Sequence, residues 1–303
     1  MKRGIINPEC EGELYSCKNK PIKIIGISCG KRSAYSCARE DPVSLHYLKL
    51  ALKEAEKNGA VTELIDLRDL TIGACKECYS TCPAQCRFNE KNFKCDCYTY
   101  DDDCIFIKDK MIRLEDAYGN ISKEEFFKYY NNKSTFWPKD DMKIIYKAMI
   151  EADGVIFASS TNYYGRPALM QAMLSRFCAL DGGVEELWGD GKNLDNSIKY
   201  SKNSKAKYKL RLYGKHCAFI NCSKEGDSVT PNLMKACTMM GMKIIPLAVA
   251  YRVNWYNDPT HREDTAESKK DKYTLGLAKH IGVSMVKEIK KSPRIYGTYL
   301  NTV

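Results

Sequence analysis

The chain has no apolar run long enough to cross a bilayer. Its most apolar stretch, Ile244 to Ala250, is far shorter than the roughly 18 residues a spanning helix needs. No secretory leader is expected either, because Met1 to Lys20 holds Pro8, Glu9, Cys10, Glu11 and Glu13 without an apolar centre or a small-residue cleavage site. These two absences predict a soluble, cytoplasmic protein with no membrane partner. Histidine is scarce: His46, His216, His261 and His280 share no spacing, and none is assigned a catalytic role. No G-x-G-x-x-G follows a predicted strand, and Gly189-Asp190-Gly191 falls inside an insertion, so the dinucleotide fingerprint is absent. Gly26-Ile27-Ser28-Cys29-Gly30 matches the nucleophile elbow G-x-S-x-G, but it follows the first strand and no acid-then-histidine pair accompanies it. A serine hydrolase is therefore disfavoured.

What the sequence does contain is a globular composition. Its 303 residues are 44% apolar, enough for one or two domains with a real core. The 15 cysteines are odd in number, which argues against a disulfide framework in a reducing compartment. Seven of them, Cys75, Cys78, Cys82, Cys86, Cys95, Cys97 and Cys104, fall within 30 residues, and such clustering points to metal. Charge is local as well: of the net +10, most comes from Lys192 to Lys215, where eight basic residues face the single acid Asp195.

Ile22 to Ser28 reads as a strand buried on both faces. Asp41-Pro42 then supplies an N-cap and a first-turn proline for a helix carrying Leu45, Leu48, Leu52 and Ala55 on one stripe up to Gly59. Further strands are expected at Val61 to Leu67, Gly154 to Ser159, His216 to Asn221 and Lys243 to Val249. Helices are expected from Asp140, from about Pro167 to Leu180, at Pro231 to Gly241, and as one long element from Ala266 to Lys290. Five strands alternating with helices imply a doubly wound, five-stranded parallel α/β sheet. The expected organisation is an N-terminal extension (1–21), a domain at 22–291 with a Cys-rich insertion after strand two (75–139) and a basic insertion (185–213), and a tail (292–303).

Ligands of such sheets sit outside the carboxyl ends of the strands, which directs attention to three loops. Ser28, Lys31, Arg32, Ser33 and Ser36 offer hydroxyls and cations suited to a phosphate, with a solvated polar turn as the alternative. Ser159, Thr161, Asn162, Tyr163, Tyr164 and Gly165 combine small polar groups with paired aromatics that suit a planar heterocycle. Asn221, Ser223 and Gly226 form a third small, polar loop. Together they indicate a phosphorylated planar cofactor.

Cys75, Cys78, Cys82 and Cys86 read C-x2-C-x3-C-x3-C, compact enough for four thiolates to converge on an iron-sulfur cluster. Tetrahedral zinc is the rival, although four-cysteine zinc sites usually separate two C-x2-C pairs. Cys95, Cys97 and Cys104 are possible substitutes in the ligand set. Cys178, Cys217, Cys222 and Cys237 are expected to pack as small hydrophobes, and Cys10, Cys17, Cys29 and Cys37 to be surface thiols.

From about Ile22 to Gly282 these motifs resemble the iron-sulfur flavoproteins of the flavodoxin-like, NADPH-dependent FMN reductase superfamily. Gly26-Ile27-Ser28 with Lys31, Arg32 and Ser33 resembles the family's FMN-phosphate loop, and Cys75 to Cys86 its 4Fe-4S motif. Asp140-Asp141-Met142, Ala152-Asp153-Gly154, Ser159 to Gly165, Gly214-Lys215 and Asn221 to Gly226 fit further segments of its pattern. The cysteine spacing is looser than the family's, which leaves the fourth ligand open. The resemblance implies an oxidoreductase binding FMN and one 4Fe-4S cluster, with NAD(P)H as a possible donor, in a homo-oligomer that couples two-electron flavin chemistry to one-electron transfer. The Lys192 to Lys215 stretch suggests an acidic ferredoxin as a redox partner, a solvated lysine-rich loop being the alternative. A competing reading is a NAD(P)H-dependent FMN or quinone reductase with structural zinc. A nucleic-acid-binding module ranks last, since it needs no nucleotide-type pocket.

Overall fold

A computed structural model describes residues 21–30, 40–75, 88–89, 93–95, 104–107, 110–113, 140–162, 164–180, 207–208, 211–223, 226–253, 262–292 and 300–301. Strand β1 (Ile22–Cys29) is buried from Ile24 onward, as an apolar run inside a two-sided sheet must be. Helix α1 (Val43–Lys57) follows and buries the stripe set by Leu45, Leu48, Leu52 and Ala55. The chain continues through β2 (Ala60–Asp66), α2 (Met142–Glu151), β3 (Gly154–Ser160) and α3 (Ala168–Arg176), extended by a 3-10 turn at Phe177–Leu180. It closes with β4 (His216–Ser223), α4 (Val229–Met239), β5 (Lys243–Val253), α5 (Arg262–Lys270) and α6 (Lys272–Lys291).

All five strands are parallel, in the order β5-β4-β3-β1-β2. The chain leaves β1 to one side for β2 and crosses to the other for β3, so the order reverses between β1 and β3, where doubly wound sheets open a crevice. Helices cover both faces. A Cβ built on Gly26 would point at Leu48 and Leu52 of α1, and one on Gly154 at Met285 and Ile289 of α6, which fixes one face. On the other, Cys217 of β4 meets Cys237 of α4.

The structure corrects the sequence reading in three places. Asp41 does not cap α1: its carboxylate pairs with Arg68 at 3.2 Å and Lys49 at 3.5 Å, and no side chain caps the helix. The closing helix is two helices, because Asp271 accepts from the backbone N–H groups of Tyr273 (3.3 Å) and Thr274 (3.4 Å) and starts α6 afresh. Finally, β5 runs on to Val253 through an irregularity between Ile244 and Val249, where Leu247 takes a positive φ of 51°.

Short antiparallel ladders pair Phe88–Asn89 with Lys94–Cys95, Cys104–Ile107 with Lys110–Arg113, and Lys207–Tyr208 with Leu300–Asn301. Among the described residues no helix is long and apolar enough to cross a membrane.

Candidate functional site

Strand register places the predicted loops along one edge. Cys29 lies opposite Ser159, Ser159 opposite Asn221, and Asn221 opposite Tyr251, forming a transverse row at the carboxyl ends of β1, β3, β4 and β5. Ser28, one residue earlier, points to the opposite face, the one covered by α1. Its hydroxyl is buried and has no hydrogen-bond partner.

The corner between β1 and α1 is tight. A Cβ on Gly30 would lie 2.6 Å from Pro42 Cβ, so only glycine lets the strand exit pass the helix start. Ser44, in the first turn of α1, is also buried with a partnerless hydroxyl, and the Gly30 Cβ position is 3.5 Å from its Oγ. The first turn carries no acidic residue and no side-chain cap. An N-terminus of this kind presents backbone N–H donors and a positive partial charge to an anion. Two buried hydroxyls left unpaired cost on the order of 1–3 kcal/mol each, a cost that a bound phosphate would remove. These residues fit the phosphate end of FMN. Lys31, Arg32, Ser33 and Ser36 lie outside the described residues.

The β3 and β4 loops are knitted together. Asn162 and Gly165 exchange backbone hydrogen bonds of 2.8 and 3.0 Å, closing a turn in which Tyr164 has a φ of 57° and is 68% exposed. Ser228 Oγ donates to the Tyr164 carbonyl at 2.5 Å, tying that turn to the start of α4. Thr161 Oγ1 donates to the Gly226 carbonyl at 3.2 Å and accepts from Asn221 Nδ2 at 3.3 Å. Gly226 has a φ of +87°, a conformation glycine tolerates without strain. Ser159 and Ser223 are buried at their strand ends. Thus the structure brings Thr161, Asn162, Tyr164, Gly165, Asn221 and Gly226 together, whereas Tyr163 lies outside the described residues.

Sequence reasoning missed Asp227, Thr230 and Tyr251. Asp227 Oδ1 accepts from Asn221 Nδ2 at 2.6 Å and from the Thr230 N–H at 2.9 Å. Burial, with the nearby Asp227 charge, pushes the Tyr251 hydroxyl pKa up, so the group stays protonated. An Asp shortly before an apolar helix was the available signal for the first. Only the sheet register reveals Tyr251.

Arg176 was missed as well, a buried side chain with several partners beside the cysteine-rich segment. Its Nη1 and Nη2 meet the two carboxylate oxygens of Asp140 at 3.0 Å each, Nη1 also donates to the Gly73 carbonyl at 3.1 Å, and Nη2 to Cys95 Sγ at 3.1 Å. Burial opposes the Arg176 charge, but the Asp140 hydrogen bond and the neighbouring Tyr146 and Cys95 outweigh it, holding the guanidinium more firmly protonated than usual. The Gly73 N–H donates to Asp140 Oδ1 at 3.1 Å and the Thr71 N–H to Asp141 Oδ2 at 3.0 Å, so residues 71–73 and 140–141 run side by side.

For the predicted metal ligands, Cys75 is half-buried, Cys95 is buried beside Arg176, and Cys104 begins a short strand. Cys78, Cys82, Cys86 and Cys97 lie outside the described residues, among which no cluster of three metal-ligating side chains occurs. Cys217, Cys222 and Cys237 are buried as expected, whereas Cys29 is buried and not a surface thiol. Two cations of the basic stretch are buried. Lys215 is buried, its Nζ donating to the carbonyls of Ile150 (2.8 Å) and Ala152 at the end of α2, and Arg211 is buried with its guanidinium 5.1 Å from the Phe88 ring centroid.

Fold and edge together define a flavodoxin-like, doubly wound α/β protein whose polar strand-end loops gather at its carboxyl edge. No family model and no curated protein matches the sequence. Among solved structures, the chain is similar to RosB with the bound intermediate 8-demethyl-8-formylriboflavin-5'-phosphate, at 15% identity and a TM-score of 0.54 over 90% of this chain and 82% of that one. It is also similar to a flavone reductase (16% identity, TM-score 0.46, 91% and 66% covered) and to an azoreductase from Bacillus anthracis str. Sterne (12%, 0.40, 86% and 99%). The RosB likeness supports the flavodoxin-like fold.

Proposed function

We propose that the protein is an FMN-dependent oxidoreductase that also carries a 4Fe-4S cluster and exchanges electrons between two-electron and one-electron partners. The observation that carries the flavin reading is the β1–α1 corner, where Ser28 and Ser44 hold buried, partnerless hydroxyls at an uncapped helix start. Bound FMN would supply the redox chemistry. The chain's own part is to hold the phosphate with these hydroxyls and the first amides of α1, and to border the ring with the 161–165 turn and Asn221. RosB, which has a similar fold, is described with a riboflavin-5'-phosphate derivative bound, in keeping with this reading.

The cluster reading rests on the compact spacing of Cys75, Cys78, Cys82 and Cys86 and on the family resemblance, with Cys95, Cys97 and Cys104 as reserves. NAD(P)H as donor, an acidic ferredoxin as one-electron partner and a homo-oligomeric assembly belong to the same proposal. Anaerobic purification tests it. The expected result is a brown protein with about four irons per chain and FMN released on denaturation. Zinc with FMN and no iron would move the conclusion to a NAD(P)H-dependent FMN or quinone reductase. Absence of flavin after reconstitution with excess FMN would overturn the reading altogether.

A further inference from the structure

At the carboxyl ends of β4 and β5, three side chains leave one polar atom each without a partner: Asn221 Oδ1, Thr230 Oγ1 and the Tyr251 hydroxyl. Asn221 and Thr230 are buried almost completely. Sequence distance hides their proximity, but Asp227 gathers them. One of its oxygens accepts from both the Asn221 amide and the Thr230 N–H, and its charge acts on Tyr251. Asp227 and Thr161 occupy the Asn221 amide nitrogen, so the atom left over is an acceptor. The other two atoms are hydroxyls, and both are able to donate.

The trio therefore offers one acceptor and two donors. An edge reading carbonyl, N–H, carbonyl, the pattern of a cyclic imide, is one complement of such a set. Place in the sheet supports the match. The phosphate corner is on β1, Asn221 on β4, Tyr251 on β5 and Thr230 in the first turn of α4, so the trio lies two to three inter-strand steps away, about 10–14 Å at the usual strand spacing. A molecule with a phosphate at one end and an imide at the other, lying across the strand ends, would meet both.

We propose that Asn221, Thr230 and Tyr251 form the subsite that recognises the imide edge of the flavin ring. Asn221 Oδ1 accepts from the ring imide N–H, and the Thr230 and Tyr251 hydroxyls donate to the flanking carbonyls. This rests on the flavin reading above and adds two residues to it, Thr230 and Tyr251, together with a reason for selecting an imide over other planar rings.

The test is FMN titration into flavin-free protein, followed by quenching of flavin fluorescence. Thr230→Val and Tyr251→Phe each remove one partnerless hydroxyl at nearly constant shape. Each is expected to weaken FMN binding roughly three- to tenfold, while the thermal midpoint of the flavin-free protein stays level or rises. FMN methylated at the imide nitrogen should bind wild type at least tenfold more weakly than FMN does, since the methyl group displaces the donor that Asn221 Oδ1 awaits. Unchanged FMN affinity in both variants overturns the assignment. Unchanged affinity together with a lower midpoint identifies the trio as the seat of a structural water, which also overturns it. Failure of wild type to bind FMN at all removes the flavin reading itself and the subsite with it.

Discussion

Replacing Gly282 by alanine sets two well-known effects against each other. On helix propensity alone, glycine to alanine inside α6 stabilises by up to about 1 kcal/mol. Packing argues the other way. A Cβ at position 282 would lie 2.1 Å from the Ala51 carbonyl oxygen and 3.0 Å from the Ala55 nitrogen, both backbone atoms of α1. Backbone cannot swing aside as a flexible side chain can, so α1 and α6 must separate by an ångström or more. Ala51, Ala55, Ala278, Ile281 and Met285 are all buried, and that separation would thin the contacts around them. Overpacking of this kind costs on the order of 1–3 kcal/mol or more. Gly276 provides an internal control, for it lies in the same helix with nothing within 4 Å of its Cβ position. Gly282→Ala is expected to lose about 2 kcal/mol net and to lower the thermal midpoint by roughly 4–8 °C, whereas Gly276→Ala should raise it by about 2–4 °C. Far-UV circular dichroism during thermal and urea unfolding measures both. Equal shifts in the same direction would refute the close approach of α1 and α6.

Burial, reinforced by Lys243, depresses His216 to a pKa of about 4, so the ring is neutral in the fold and its protonation favours the unfolded chain. The stability it contributes is whole above pH 6.5 and drains away as pH falls towards 4, by about 3 kcal/mol in all. His216→Leu should flatten the slope of urea-unfolding stability between pH 6.5 and 5, leaving the smaller share from His46, which is depressed in the same direction. Arg176→Met strands the Asp140 carboxylate, which is only 9% exposed, and should cost about 3–5 kcal/mol; it should also make Cys95 accessible to maleimide, read by mass spectrometry. Gly30→Ala drives a Cβ into Pro42 and should weaken binding of FMN by about tenfold or more in fluorescence titration, with the sheet's circular dichroism retained.

The sheet was legible in the sequence because each of its strands is an apolar run bounded by turn-forming residues, and burial on both faces leaves little freedom in how such a run is used. The break at Asp271 was not, since Ala266 to Lys290 keeps its helical period across a residue that acts through two local hydrogen bonds. Loops at strand ends could be named from topology, which is why Ser28, Thr161 and Asn221 were singled out. Ser44 and Tyr251 escaped for different reasons. Ser44 looks like an ordinary helical position until the Gly30–Pro42 contact brings the strand exit beside it, and Tyr251 belongs to the edge only because its strand runs past the expected end. Arg176 is the extreme case: its partners Gly73, Cys95 and Asp140 are separated from it by 103, 81 and 36 positions.

Where the fold leaves polar groups unsatisfied is not arbitrary. At the amino edge the backbone groups pair off: the Lys23 N–H donates to Asp153 Oδ2 at 2.9 Å, the Asp153 N–H to the Lys23 carbonyl at 2.8 Å, and the His216 N–H to the Asp153 carbonyl at 3.0 Å, although the buried His216 Nδ1 has no partner there. The Lys215 ammonium, buried there, ends on two helix carbonyls. The buried hydroxyl and amide atoms without partners among the described residues belong to Ser28, Ser44, Asn221, Thr230 and Tyr251, all at the carboxyl ends of strands or in the first turns of the helices beside them. Gathering them at one edge lowers the stability of the ligand-free fold by on the order of 1–3 kcal/mol per atom and converts each into binding energy once a partner arrives. Stability without ligand and affinity for it are then opposed at these positions. Ser44→Ala should therefore stabilise the flavin-free protein while reducing the rise in thermal midpoint that saturating FMN produces, and a variant that gained on both counts would break the link.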